Sequence, residues 1–494
     1  MVLAAAYTLS TRVLPPKYYP HAAVVAATGV IAYAFAQGRM TNRERDLHTR
    51  TILVTGGFTP LGLTLITSLA ARGAHIIALS EYPITDNSLA SLLIPVLRTA
   101  TNNEEIYAEH AELSSPESIR KFCSQFLTGE DHRLDGIVFA HEYRTIGSVL
   151  RRETKEASAR RDMASLATFL IVTLLLPKLL VAPIERDIRI VTIVNPFYAA
   201  SAPLFPAKLT SILTATNATK KAPLDPLFVA EGYRALRTTI FTRHLQRILN
   251  ALPNGAPAPD ASKNKSQPPV VKPPLTSNII AVSAAPGVAR ADTMSPLLAA
   301  DRQSGPEYFS LIGLLLYILM YPFLWIFTKP SKTAEQTVLH TLFLPTPFKR
   351  ALAQVDAATD TASAFSPSKE KQESPEDFLP EEVLKPGALY RECAVVNLRV
   401  PSLPHPPEKQ EDQKAKDAKK KAKKGKGKEE EEIVVLEDDG ELGGESLGRM
   451  VWEWYETRLK DWETNERAQL DAMKKAEMKD DSSAPNLSPT STSS

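Results

Sequence analysis

Short runs of β-branched and large apolar residues alternate along this chain with longer stretches of helical apolar spacing. Residues 51–55 (TILVT) read as a strand, GGFTPLG as a turn, LTLITSLAARG as a helix closed by a glycine, and HIIALS (75–80) as a second strand. Further strands are expected at GIVFAH (136–141), IRIVTIVN (188–195) and NIIAVSAA (278–285). Helical patterns lie between them at PESIRKFCSQFL, ASLATFLIVTLLLPKLL and YRALRTTIFTRHLQRIL. Strands that alternate with helices predict an α/β fold with a doubly wound parallel sheet covered on both faces, and the opening strand–turn–helix–strand has the form of a nucleotide-binding crossover.

Two apolar segments stand outside this alternation. Residues 21–37 (HAAVVAATGVIAYAFAQ) carry no charge and come close to the length that crosses a bilayer. Arg39, Arg43, Arg45 and Arg50 follow it, against Arg12 and Lys17 before it, so the more basic flank is expected on the cytosolic side together with everything downstream. Residues 308–327 (YFSLIGLLLYILMYPFLWIF) are more apolar still. A single crossing there would separate residues 51–287 from KTAEQTVLHTLF and LYRECAVV, which read as a helix and strand of the same sheet. The segment is therefore expected to dip into or lie on a membrane surface, bent at Pro322.

Composition and charge divide the rest. Residues 251–276, 355–384 and 401–432 are rich in Pro, Ser, Lys and Glu, and read as disordered insertions and a linker that bury too little apolar surface to offset ordering. Nine lysines between Lys414 and Lys428 precede Glu429–Glu432, and no aromatic residue interleaves them, so the block-charged tract gives no stacking platform for nucleic acid and no such partner is expected. The formal net charge of +2 gives no global pull either way. Cys123 and Cys393, far apart and without metal-ligand spacing, predict a reducing compartment and no metal site. The expected organisation is an N-terminal membrane anchor with its basic flank (1–47), a Rossmann-type domain (48–400), a Lys/Glu-rich linker (401–444), an amphipathic helix (445–476) and a tail (477–494). On that helix Val451, Trp454, Tyr455, Arg458 and Trp462 share a face suited to the fold's own body, a protein partner or a membrane interface.

Seven stretches in order give the chain a family likeness: TGGFTPLG, AELSSPESI, LDGIVFAH, TFLIVTLLLP, RIVTIVN, YRALR and APGVARADT. Over roughly residues 50–400 the chain resembles the short-chain dehydrogenase/reductase family, most closely its membrane-associated retinol-dehydrogenase-like and hydroxysteroid-dehydrogenase-like members. The resemblance implies NAD or NADP as cofactor. Thr55, Gly56 and Gly62 match the T-G-x-x-x-G-x-G turn, with Pro60 in place of the middle glycine, which removes an N–H from the phosphate-facing turn. Glu81 stands near the position that contacts the ribose, Glu112 at the aspartate near the adenine, and Pro286-Gly287 after the sixth strand. The small residues expected after the fourth strand are replaced by Ala140, His141 and Glu142.

The catalytic Asn, Ser, Tyr and Lys that the resemblance implies fall on Ala164, Asn195, Tyr233 and Arg237. An arginine can supply the charge that makes a tyrosine more acidic, but its planar fork does not reproduce a compact ammonium. Two functions stay open at this point. One is a membrane-anchored oxidoreductase acting on a lipophilic alcohol or ketone, with Tyr233 as acid/base and Arg237 as its electrostatic partner. The other is a catalytically inactive relative serving as a membrane scaffold or interaction protein. The anchor suits the endoplasmic reticulum or lipid droplets, with the mitochondrial outer membrane as the alternative.

Overall fold

A computed structural model describes residues 16–85, 88–129, 133–183, 186–214, 225–252, 277–302, 309–347, 382–402, 436 and 438–481. The expected disordered stretches at 253–276, 355–381 and 403–432, the lysine tract, and residues 482–494 of the tail lie outside them.

The centre is an eight-stranded sheet in the order β3-β2-β1-β4-β5-β6-β7-β8. Its strands are β1 (Thr51–Thr55), β2 (His75–Ser80), β3 (Ile106–His110), β4 (Gly136–Phe139), β5 (Ile188–Ile193), β6 (Ile279–Ala285), β7 (Leu389–Arg391) and β8 (Ala394–Val395). All pair in parallel except β8, which runs antiparallel to β7. The fold is therefore a Rossmann-type α/β sheet. Its strand order reverses between β1 and β4, where open sheets of this kind form their ligand crevice.

Successive strand residues feed two separate cores, as a parallel sheet requires. Leu53, Ile77, Ile137 and Ile190 face one way and pack on α4 (Pro116–Thr128), α5 (Lys155–Leu180), α6 (Phe205–Thr214) and α7 (Leu227–Ala251). Ile52, Val54, Ile76, Val138 and Val191 face the other way, onto α2 (Pro60–Ala70), α3 (Leu89–Thr101) and α9 (Ser331–Phe343). Helix α9 and β7 thus complete the same sheet, as the sequence predicts for KTAEQTVLHTLF and LYRECAVV. Helix α5 is apolar and long enough to cross a membrane, but it is the core helix of the first layer.

The two segments outside the alternation are α1 (Tyr19–Gln37) and α8 (Leu311–Phe327). No residue of α1 is buried. Leu311, Ile312, Leu315, Ile318, Leu319 and Phe323 of α8 are exposed. The two helices lie side by side, with the Tyr33 and Trp325 rings stacked at 4.9 Å. Both ends of α8 are pinned to the segment after β6: Phe309 bridges Ala300, and Lys329 bridges Ala289.

The last helix, α10 (Gly444–Asp481), closes the first layer. The aromatic face that the sequence leaves open between the fold's body and a partner is taken up by the chain itself. Val451, Trp454, Tyr455 and Trp462 are buried, while the Arg458 side chain is half exposed. Tyr455 stacks on Phe169 of α5 at 5.1 Å, and Trp454 lies under the Arg237 guanidinium at 3.7 Å. His244 of α7 sits beneath Gly448, with Trp452 beside it. Burial, and after it Arg247, hold its imidazole down at about 4. A depressed histidine contributes stability that is complete above the ordinary value of 6.5 and is lost as pH falls towards 4. Acidification across that window is expected to loosen α10, seen as a change in tryptophan fluorescence that His244→Gln removes; a pH-independent signal in the native chain would contradict it.

Candidate active site

A cleft of about 700 Å³ opens at the carboxyl ends of the first four strands. Gly56, Phe58 and Thr59 come from the turn after β1, Ser80 and Glu81 from the end of β2, Leu113 and Ser114 from beyond β3, and Arg144, Thr145 and Ile146 from beyond β4. Arg160, Arg161, Met163 and Ala164 of α5 form the facing wall. This is the crevice that the reversal of strand order predicts.

The turn after β1 is shaped by close backbone approach. Gly56 has φ +66°, and a Cβ there would stand 2.8 Å from the His141 nitrogen. A Cβ on Gly62 would meet the Gly56 carbonyl oxygen at 2.2 Å, so both positions need glycine for α2 to lie on the turn. Pro60 occupies the first helical position, where a missing N–H costs little, and Thr59 caps the helix by accepting from the Gly62 N–H at 3.1 Å. Thr55 is fully buried, and its hydroxyl meets His141 Nδ1 at 2.7 Å. The other imidazole nitrogen of His141 donates to the Ala164 carbonyl at 2.9 Å, which gives Nδ1 the acceptor role. His141 thus ties β1, β4 and α5 together.

Of the remaining cofactor candidates, Glu81 is exposed on the cleft wall. Glu112 is exposed but faces a different cavity, and its carboxylate accepts from Ser114. Pro286 and Gly287 are buried after β6; Gly287 has φ +96°, and its carbonyl accepts from the Tyr143 hydroxyl at 2.7 Å.

The implied catalytic group does not assemble. Tyr233 and Arg237 line a separate cavity between α5, α7 and α10, and neither lines the cleft. Tyr233 is buried and stacks on Phe205 at 4.7 Å, and its hydroxyl has no hydrogen-bond partner among the described residues. Burial pushes the phenol above its ordinary value, the reverse of what a proton shuttle near neutrality needs. Arg237 is held by Asp162 at 2.9 Å and the Ser165 hydroxyl at 2.8 Å. Asn195 lies elsewhere again, with its amide nitrogen donating to the Glu231 carbonyl at 3.2 Å and its oxygen accepting from the Phe197 N–H.

Beside Asn195 the space is filled. Glu231, fully buried, accepts from the Gly147 N–H at 3.0 Å and pairs with Arg161 at 3.0 Å and Arg234 at 2.8 Å. What is left is a chamber of about 10 Å³. Sequence reading passes over Arg161 and Glu231, because a charge in an amphipathic pattern reads as solvated until packing buries it. Among the described residues no group of three or more His, Cys, Asp or Glu is placed to hold a metal.

The sheet order and the cleft at its reversal make the chain a Rossmann-type α/β protein, similar in these features to the short-chain dehydrogenase/reductase family. No family model matches the chain. An uncharacterized oxidoreductase of Saccharomyces cerevisiae is 26% identical over 330 residues, 65% of this chain and 74% of the relative. An uncharacterized oxidoreductase of Schizosaccharomyces pombe is 25% identical over 329 residues, 65% of this chain and 78% of the relative. Among solved structures, a short chain dehydrogenase/reductase family protein is 15% identical with a TM-score of 0.36, covering 60% of this chain and 90% of that one, too distant to bear on the site.

Glu231→Ala would leave Arg161 and Arg234 buried without their shared carboxylate, and is expected to cost about 3–5 kcal/mol in urea unfolding; a loss within about 0.5 kcal/mol, the ordinary range of a surface change, would contradict the buried network.

Proposed function

We propose that this chain is a membrane-docked oxidoreductase of the dehydrogenase/reductase kind that takes NAD or NADP into the cleft and acts on a lipophilic alcohol or ketone. The observation that carries the reading is the cleft itself, at the carboxyl ends of β1 to β4 and lined by Gly56, Ser80, Glu81 and Leu113. The names of the two yeast relatives support the class of reaction.

The residues present fit the adenosine half of such a cofactor. Leu79, Leu113 and Ala90 offer apolar walls to an adenine ring, and the Glu81 carboxylate is placed to accept from ribose hydroxyls. A carboxylate there disfavours a 2′-phosphate, which supports NAD over NADP. They do not fit the nicotinamide half, because Arg161, Glu231 and Arg234 fill the space beside Asn195. Bound NAD would supply a hydride acceptor, but no side chain described above stands where it would move the accompanying proton. That filled chamber favours a second reading, in which the fold is kept as a membrane scaffold without turnover.

Membrane docking is supported by α1 and α8 together. Neither helix carries a charged residue, and they pack on each other while presenting apolar side chains outward. Since both ends of α8 return to the segment after β6, we read it as lying in the interface rather than crossing. A lipid-facing α8 gives a lipophilic substrate a route towards the domain. The endoplasmic reticulum, lipid droplets and the mitochondrial outer membrane all offer such a surface.

Titration of the full chain in detergent with adenosine, NADH and NADPH tests the cleft. Adenosine and NADH are expected to bind, NADPH more weakly, with Glu81→Ala narrowing the difference; no binding of any of the three at millimolar concentration leaves the scaffold reading standing. Hydrogen exchange with phosphatidylcholine vesicles tests the docking: amides of α8 are expected to gain protection, and equal exchange with and without vesicles would remove α8 from the membrane.

A further inference from the structure

A helix that follows the first strand of such a sheet normally turns unpaired N–H groups towards a phosphate. In this chain those donors are already engaged. Pro60 has none, the Leu61 N–H donates to the Asp292 carboxylate at 3.2 Å, the Gly62 N–H to the Thr59 hydroxyl at 3.1 Å and the Leu63 N–H to the Thr59 carbonyl at 2.8 Å. Asp292 comes from far along the chain, on a single π-helical turn (Arg290–Met294) after β6. It is fully buried, and its second oxygen accepts from the Ser331 hydroxyl at 3.3 Å. The nearby cation, Arg144, is held by both oxygens of Asp301 at 2.9 and 2.6 Å, so Asp292 rests on neutral donors. Neither Leu61 nor Asp292 lines the cleft, whose wall there is Gly56, Phe58, Thr59 and Pro296.

We propose that Asp292 takes the place of a ligand phosphate at the N-terminus of α2 and thereby sets how the cleft holds a dinucleotide: the adenosine half is gripped by the cleft walls, and the pyrophosphate is held only weakly because the first-turn donors are engaged. This rests on the reading of the cleft as a nucleotide site. The physical cause is twofold. The carboxylate already uses the Leu61 donor and the positive end of the helix, worth most to an anion that is buried. A pyrophosphate arriving at the same turn meets a like charge in a poorly solvated place, where two anions cannot share one set of donors. The sequence holds the acid within APGVARADT, but nothing in its spacing brings it to Leu61, 231 residues away.

The test is calorimetric titration of the full chain, of Asp292→Asn, which removes the charge and keeps the shape, and of Asp292→Ala, which empties the position. Each is titrated with adenosine and with NADH, and thermal melting checks that each is folded. Adenosine affinity is expected to stay within about twofold, while NADH binds roughly tenfold more tightly to Asp292→Ala, with Asp292→Asn between, as loss of one competing charge-assisted contact implies. If Asp292→Ala does not fold, Asp292→Asn carries the comparison. Unchanged NADH affinity in a folded variant that binds adenosine overturns the proposal and leaves the nucleotide reading intact. Loss of adenosine binding in every form, the native chain included, overturns both.

Discussion

A parallel sheet exposes no face to water, and that constraint governs the rest of this molecule. Strands β1, β2, β4, β5 and β6 alternate their side chains between two apolar layers, so each layer must be roofed by helices. On one side α2, α3 and α9 suffice. On the other, α5 and α7 leave Phe169 and Phe241 uncovered, and the long C-terminal helix supplies Trp452 and Tyr455 to cover them. Helix α10 belongs to the fold in the same sense as α9. The burial of its aromatic face follows from an unroofed layer, which explains why that face is spent on the chain itself.

The same packing relocates the residues on which a family mechanism would depend. Helix α7 presents Tyr233 towards Phe205, on which it stacks, and Arg237 towards α5 and α10, where it finds Asp162 and an indole ring. What it presents towards Asn195 is the first turn, with Glu231. A buried carboxylate needs cations, and Arg161 and Arg234 provide them. The resulting ion cluster fills the interior beside Asn195 and leaves a space of about 10 Å³ there. The cleft outside it remains, at the end where a nucleotide's adenosine would lie.

The two exposed apolar helices meet a constraint of a different kind. An uncharged helix with no buried residue cannot be accounted for by the domain's own core, and α8, which packs beside it and buries only Gly313 and Leu324, leaves most of its apolar surface in the same position. The tether of α8 at both ends then restricts how that need is met, since a crossing would pull β7 and α9 away from the sheet they complete.

From its sequence alone the chain determined the elements whose signal is local: β1 and β2 to the residue, the span of α4, the glycines at 56 and 62, the two apolar segments and the amphipathic C-terminal helix. Periodicity and turn chemistry act over a few residues, so they are written where they operate. Long-range assembly is not. Which way α7 faces, that Glu231 rather than Tyr233 approaches Asn195, and that Asp292 closes a helix 231 residues earlier were decided only when the sheet set the helix rotations. The strand β3 escaped because an edge strand with an exposed face carries a weak apolar pattern, and β8 reads as one strand with β7 because the turn at Glu392 and Cys393 carries no glycine or proline. The tyrosine and basic residue four apart on α7 share one helix face, which reads as chemistry in one dimension and as packing in three, because only the tertiary structure decides what that face meets.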